Sequence, residues 1–110
     1  MLTKKIAQEI LNRLVETCEK APQGVVSLIL FGSVARNDFD LDSDIDIMVV
    51  STDPEESKQY FRAVVDELFL RYSVPISVIY VRPERLEKKD TFIQNVLKEG
   101  KVLWGRKKTR

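Results

Sequence analysis

The sequence of 110 residues contains no histidine and a single cysteine, Cys18. Without imidazole there is no Ser-His-Asp or Cys-His catalysis, and a structural zinc site loses its usual nitrogen ligand. One cysteine permits no internal disulfide. No apolar run approaches the roughly 20 residues that a membrane helix needs. The charged start MLTKKIAQEI is unlike the apolar core of a signal peptide. A cytoplasmic chain without membrane contact is therefore expected. The net charge is only +1, and no basic stripe alternates with aromatics, so direct nucleic-acid binding is not expected. The glycine patterns of dinucleotide-binding and P-loop proteins are both absent. Any metal must be held by oxygen, which points to Mg²⁺, Mn²⁺ or Ca²⁺.

What is present suffices for a folded domain. The apolar fraction is 44%, and the length fits a single domain over residues 1–110. Residues 3–19 carry Ile6, Ile10, Leu14 and Cys18 at helical spacing, joined by Leu11 and Val15, and Pro22 and Gly24 follow. Cys18 on that face is expected to be a buried thiol. VVSLILF, residues 25–31, reads as a buried strand, and IDIMVV, residues 45–50, as a second. Asp53-Pro54-Glu55-Glu56 is a helix start, with Asp53 as cap, Pro54 in the first turn and Glu56 completing a capping box. Tyr60, Phe61, Val64, Val65, Leu68, Phe69 and Tyr72 mark one face of that helix. SVPISVIYV, residues 73–81, is a third strand with Pro75 near its start. Asp90 can cap a last helix bearing Phe92, Ile93, Val96 and Leu97, with Gly100 to end it and KVLW, residues 101–104, as a short edge strand. The basic ending GRKKTR reads as a solvated end. The fold class expected is α/β (α+β): a small mixed sheet of three to four strands packed by helices.

The chemistry concentrates in FGSVARNDFDLDSDIDIMVV, residues 31–50, where aspartates stand at every second position from Asp38 to Asp46. Asp44 and Asp46 fall at the start of the second strand, two apart, and share a face, while Ile45 and Ile47 point to the core. Two strand-held carboxylates make half a cage for a hard cation such as Mg²⁺, completed by substrate phosphates. Asp38, Asp40 and Asp42 read as solvated turn residues. An EF-hand starting at Asp42 fails, because its sixth position is Ile47 rather than Gly and its twelfth is Asp53 rather than Glu. Gly32 and Ser33 end the first strand. A short helix from Ser33 through Arg36 would turn N–H groups toward an anion, with the Ser33 hydroxyl and Arg36 as further donors. By itself a Gly-Ser turn carries no signal; its value is its spacing from Asp44 and Asp46.

Gly32-Ser33, ten intervening residues and Asp44-Ile45-Asp46 resemble the signature of the nucleotidyltransferase superfamily that includes DNA polymerase beta. The chain is most similar to the minimal nucleotidyltransferases, in both this motif and the ending TFIQNVLKEGKVLWG. The resemblance implies the polymerase beta-like fold. It implies triphosphate binding by Gly32 and Ser33, with Arg36 beside them, and Mg²⁺ or Mn²⁺ binding by the catalytic pair Asp44 and Asp46. The implied reaction moves a nucleoside monophosphate from an NTP, ATP first among them, to a hydroxyl, releasing pyrophosphate. It also implies a small helical HEPN-type protein as partner, with this chain as the antitoxin-like subunit, and leaves a homo-oligomer open. The chain departs from the pattern in one place. Members usually carry a third carboxylate on the next long strand, which here reads VPISVIYV, and Ser77 aligns with the missing acid. Asn37 stands where these proteins often have glycine, a change that asparagine's tolerance of left-handed angles makes harmless.

Three functions follow. The chain is a metal-dependent nucleotidyltransferase; or it is a nucleotide- or partner-binding module made catalytically weak by the missing acid; or it is a structural interaction domain with a vestigial acidic loop. Only the first predicts pyrophosphate release, and only the third predicts no nucleotide binding.

Overall fold

A computed structural model describes residues 1–88 and 90–106. The elements run α1 (Lys4–Glu19), β1 (Val25–Phe31), α2 (Gly32–Arg36), β2 (Ile45–Ser51), α3 (Pro54–Tyr72), β3 (Ile76–Val81), a 3₁₀ turn (Pro83–Glu87), α4 (Thr91–Glu99) and β4 (Lys101–Gly105). The last four residues of the basic ending lie outside the described region. The strands form one mixed sheet in the order β3-β2-β1-β4. β1 pairs antiparallel with both β2 and β4, and β2 pairs parallel with β3 across the α3 crossover. No helix among the described residues is long and apolar enough to cross a membrane.

The central strands are apolar on both faces because both faces are covered. Leu28, Leu30, Ile45, Ile47 and Val49 point to one side, where Ile10, Leu14 and Cys18 of α1 and Phe61 and Leu68 of α3 complete the main core. Ile29, Met48, Val50 and Val81 point to the other, where Ile93 and Val96 of α4 cover them. That second layer is one short helix and a 3₁₀ turn, so it leaves part of the sheet open. Cys18 is fully buried, and burial pushes its thiol up to about 12, which removes thiolate reactivity near neutral pH.

Local chemistry sets the ends. The Thr3 hydroxyl accepts the Ile6 N–H at 3.2 Å to start α1. Asp53 caps α3 by accepting the Glu56 N–H at 3.1 Å. The reciprocal half of the expected capping box is replaced: the Asp53 N–H donates to Ser51 Oγ at 3.0 Å, and Ser51 in turn accepts the buried Ser57 hydroxyl at 2.6 Å. β3 starts after Pro75, at Ile76, because Val74 and Ser73 are still turning out of α3, with Ser73 left-handed at φ 55°.

Asp90 caps α4 as expected, accepting the Phe92 and Ile93 N–H groups at 2.8 and 3.3 Å. Gly100 ends α4 with an extended φ of −75°, not the left-handed angle that a terminal glycine usually supplies. Its role is close approach. A Cβ there would lie 3.0 Å from Ile29 Cγ2 and from the Leu30 carbonyl oxygen, and against the Val96 carbonyl. Gly100→Ala is therefore expected to destabilise the fold by about 1–3 kcal/mol through overpacking. Gly105→Ala, whose Cβ meets nothing closer than Val102 Cγ1 at 4.0 Å, should be near neutral in the same urea titration.

Candidate active site

The cleft is built where β1 ends. Phe31 is the last residue of β1 and pairs with Asp46 of β2. The chain then turns at Gly32, with φ +75°, into the single turn of α2. Two constraints demand glycine. L side chains disfavour that φ, and an added Cβ would lie 3.1 Å from Asp46 Cγ and closer still to its carboxylate oxygen. The backbone of the Gly-Ser turn is thereby laid directly against a carboxylate. No side chain caps α2 at its start. At its end Asn37 adopts the left-handed region, φ 61° and ψ 34°, and its N–H bonds back to the Val34 carbonyl at 3.2 Å.

Asp46 is half-buried within β2. Burial raises its pKa above the ordinary 3.8, the neighbouring Asp44 charge raises it further, and Arg36 partly offsets both. Asp44 differs from expectation. β2 begins at Ile45, so Asp44 precedes the strand and is exposed. Only one of the two carboxylates is held by strand pairing; the other reaches the first through its field. Asp40 Oδ1 accepts the Asp42 N–H at 2.9 Å and the Ser43 hydroxyl at 3.2 Å, so it serves the loop. Among the described residues no group of three acidic, cysteine or histidine side chains is placed to hold a metal.

Arg36 is already engaged. Its Nε donates to Asp38 at 3.1 Å and its Nη1 to Glu99 at 3.2 Å, and these hydrogen bonds raise its pKa. A phosphate ligand must compete with two carboxylates for this guanidinium.

Gly32, Ser33, Arg36 and Asp46 share one cleft of about 450 Å³. Its other wall is Phe31 together with Phe92, Asn95, Val96 and Glu99 of α4. Of the four apolar residues that the sequence places on this helix, Ile93 and Val96 are buried, while Phe92 and Leu97 are nearly half exposed, at 45% and 46%. A helical period identifies an apolar face without saying how much sheet lies beneath it. Asn95 and Glu99 were missed altogether; their spacing of three and seven from Phe92 was the available signal. A larger concavity of about 570 Å³ lies between α1, β4 and Phe39, but neither Asp46 nor Ser33 lines it and it contains no carboxylate.

Ser77 completes the description. It pairs in parallel register with Asp46 on the adjacent strand and is exposed. It thus stands on the same face as Asp46, one strand away, and supplies a hydroxyl rather than a charge.

The site is thus a glycine turn packed against a half-buried carboxylate at the end of a mixed sheet. Comparison with known proteins gives the family. Residues 11–103 match the nucleotidyltransferase domain family, and the chain belongs to it. A Methanocaldococcus jannaschii relative, named "Putative protein adenylyltransferase MJ0604", is 36% identical over 106 residues, covering 94% of this chain and all of the relative. Two solved structures share the fold. One is a toxin–antitoxin structure with AMP-PNP, with a TM-score of 0.63 and 23% identity, covering 87% of this chain and 73% of that one. The other is a Shewanella oneidensis MNT antitoxin in complex with its tri-AMPylated HEPN toxin, with a TM-score of 0.57 and 22% identity, covering 90% and 72%.

The raised pKa of Asp46 has a consequence for stability. Its folded value exceeds its unfolded value, so the folded state holds the extra proton between the two, and stability falls as pH rises through that window. Asp46→Asn should therefore be more stable than the wild type at pH 7 in metal-free buffer. The advantage should disappear below pH 3.8, where both states of the wild type are protonated. Urea midpoints measured across pH test this; an equal or lower midpoint for the variant at pH 7 would contradict it.

Proposed function

We propose that this chain is a divalent-metal-dependent nucleotidyltransferase that transfers AMP from ATP to a hydroxyl of a partner protein. The observation that carries the reading is the joining of the Gly32–Ser33 turn and Asp46 in one cleft, with the charge of Asp44 already acting on Asp46. Two carboxylates that repel one another suit a cation, and a hard divalent ion held by one or two carboxylates plus substrate phosphates needs no third protein ligand. Asp46 and Asp44 would hold Mg²⁺ or Mn²⁺, which supplies charge neutralisation at the phosphate oxygens.

The remaining steps belong to the chain itself. Gly32 keeps the turn free of a side chain where the phosphates approach. The Ser33 hydroxyl and backbone donate to phosphate oxygens. Arg36 exchanges Asp38 and Glu99 for phosphate. The acceptor hydroxyl oxygen bonds to the α-phosphorus and gives up its proton to solvent, the bond from that phosphorus to the α–β bridging oxygen breaks, and pyrophosphate departs with that oxygen. One domain of 110 residues has little room for an acceptor pocket beside the nucleotide, so the acceptor is presented by another protein. Likeness to the MNT–HEPN complex and to the adenylyltransferase relative supports a helical HEPN-type partner and protein adenylylation. No membrane or nucleic-acid contact enters this reading.

One observation favours a second reading. Ser77 stands in register with Asp46 where a third acid would complete the set, so the chain would bind nucleotide with little turnover. ATP labelled at the α-phosphate separates the two readings. With Mg²⁺ and a cell lysate as acceptor source, the wild type should label one protein, and an Asp44→Asn/Asp46→Asn double variant should label none. Absence of label from folded wild type that binds Mg²⁺–ATP would favour the binding module.

Ser77→Asp gives an independent check. Like charges on paired strands oppose one another, so it should lower metal-free stability by about 0.2–1 kcal/mol. Mg²⁺ should restore the loss, and turnover should rise. A Tm indifferent to Mg²⁺ in that variant would argue against a cation between these strands.

A further inference from the structure

The wall of the cleft contributed by α4 has no part in phosphate or cation binding as argued so far. Phe92 sits in the first turn of that helix and meets Phe31 edge to face, with ring centroids 5.9 Å apart and planes at 89°. An edge-to-face pair holds a ring firmly while leaving much of its surface free. Phe92 remains 45% exposed although it lines the same cleft as Asp46 and Ser33. Its backbone is fixed as well, because Asp90 Oδ1 accepts the Phe92 N–H at 2.8 Å. Asn95 follows one turn later on the same helix face and also lines the cleft. Glu99, a further turn along, ties this helix to Arg36 and hence to the Gly-Ser turn. A rigid exposed ring with an amide beside it, and a glycine–serine turn in the same cleft, suit the base and the phosphates of a nucleotide.

We propose that the Phe92–Asn95 face of α4 is the nucleobase subsite, with the base stacked on Phe92 and its polar edge met by the Asn95 amide. This rests on reading the cleft as a nucleoside triphosphate site. Stacking on an aromatic ring is tolerant of base identity, whereas an amide presents one donor and one acceptor side by side, which suits the N6–N7 edge of adenine. Phe92 therefore supplies affinity for any base, and Asn95 supplies preference for adenine.

Two ligands isolate the subsite: Mg²⁺–ATP, and Mg²⁺ with inorganic tripolyphosphate, which has the phosphates and no base. Both are titrated calorimetrically into the full chain. Phe92→Ala and Phe92→Leu should each weaken ATP binding about tenfold or more and leave tripolyphosphate binding within about twofold of wild type. The leucine variant keeps apolar cover over the sheet, so a loss shared by both variants is not a folding effect. Phe92→Trp should bind ATP at least as tightly as wild type. Asn95→Ala should bring ATP affinity down toward that for GTP. Unchanged ATP affinity in folded Phe92→Leu would overturn the subsite, as would equal losses for ATP and tripolyphosphate; either result leaves the phosphate and metal reading standing. Failure of the wild type to bind either ligand would overturn both.

Discussion

The close packing of Gly32 against the Asp46 carboxylate is the contact on which the cleft depends. It joins the end of β1 to the start of β2 through the pairing of Phe31 with Asp46. Because β1 and β2 are the two central strands, the carboxylate is carried by the most completely buried part of the sheet. Backbone N–H groups at the turn and a negative oxygen are thus held side by side in a fixed relation. The cost is visible in Asp46, whose charged form is disfavoured by burial and by Asp44. A half-buried acid beside a second acid gains little for the fold. Its retention makes sense when a cation or a proton is to be taken up there.

The two faces of the sheet divide the labour. α1 and α3 cover one face, where Ile10, Leu14, Phe61 and Leu68 pack on the buried side chains of β1 and β2. The other face is covered by α4 and a 3₁₀ turn, and the part they leave open is the part that carries Asp46 and Ser77. An incomplete layer is poor for stability and necessary for access. The Arg36–Glu99 pair spans the gap between the two walls. Both partners are more than two-fifths exposed, so the pair adds little to stability. With the Phe31–Phe92 pair it ties α4 to the end of β1 and the Gly32 turn.

How much of this was legible in the sequence follows from which interactions are local. The central strands were readable because VVSLILF and the IDIMVV run are apolar on both faces, and β1 occupies residues 25–31 as expected. The Asp53 and Asp90 caps were readable because a cap and the N–H groups that donate to it lie within three residues. Asp44 was assigned to the strand because alternation continues through it, but a strand begins where a neighbour pairs with it, and the parallel pairing of β2 starts only at Ile45 with the distant Ile76. Glu99 reaches Arg36 across 63 positions, a distance at which no period or cap leaves a trace. The exposure of Phe92 was not legible because helical spacing reports polarity and not the extent of the sheet below. The register of Ser77 with Asp46 was foreseen only through a family resemblance; parallel pairing across a helix cannot be counted from residue spacing.

That register also explains why a serine is tolerable where an acid is expected. A third carboxylate opposite Asp46 would add a further like charge to a site whose acid already titrates high. Metal-free protein would then carry three repelling groups on two adjacent strands, with α4 covering only part of them. Serine removes that repulsion and keeps an oxygen within reach of whatever binds to Asp46. An oxygen without charge still ligates a hard cation, but it contributes less to holding one and cannot take a proton from an acceptor hydroxyl. In the proposed site, weaker cation binding and the loss of a proton acceptor would be set against less repulsion in the metal-free protein. In the proposed transfer the acceptor's proton leaves to solvent, and the partner contributes by positioning its hydroxyl beside Asp46.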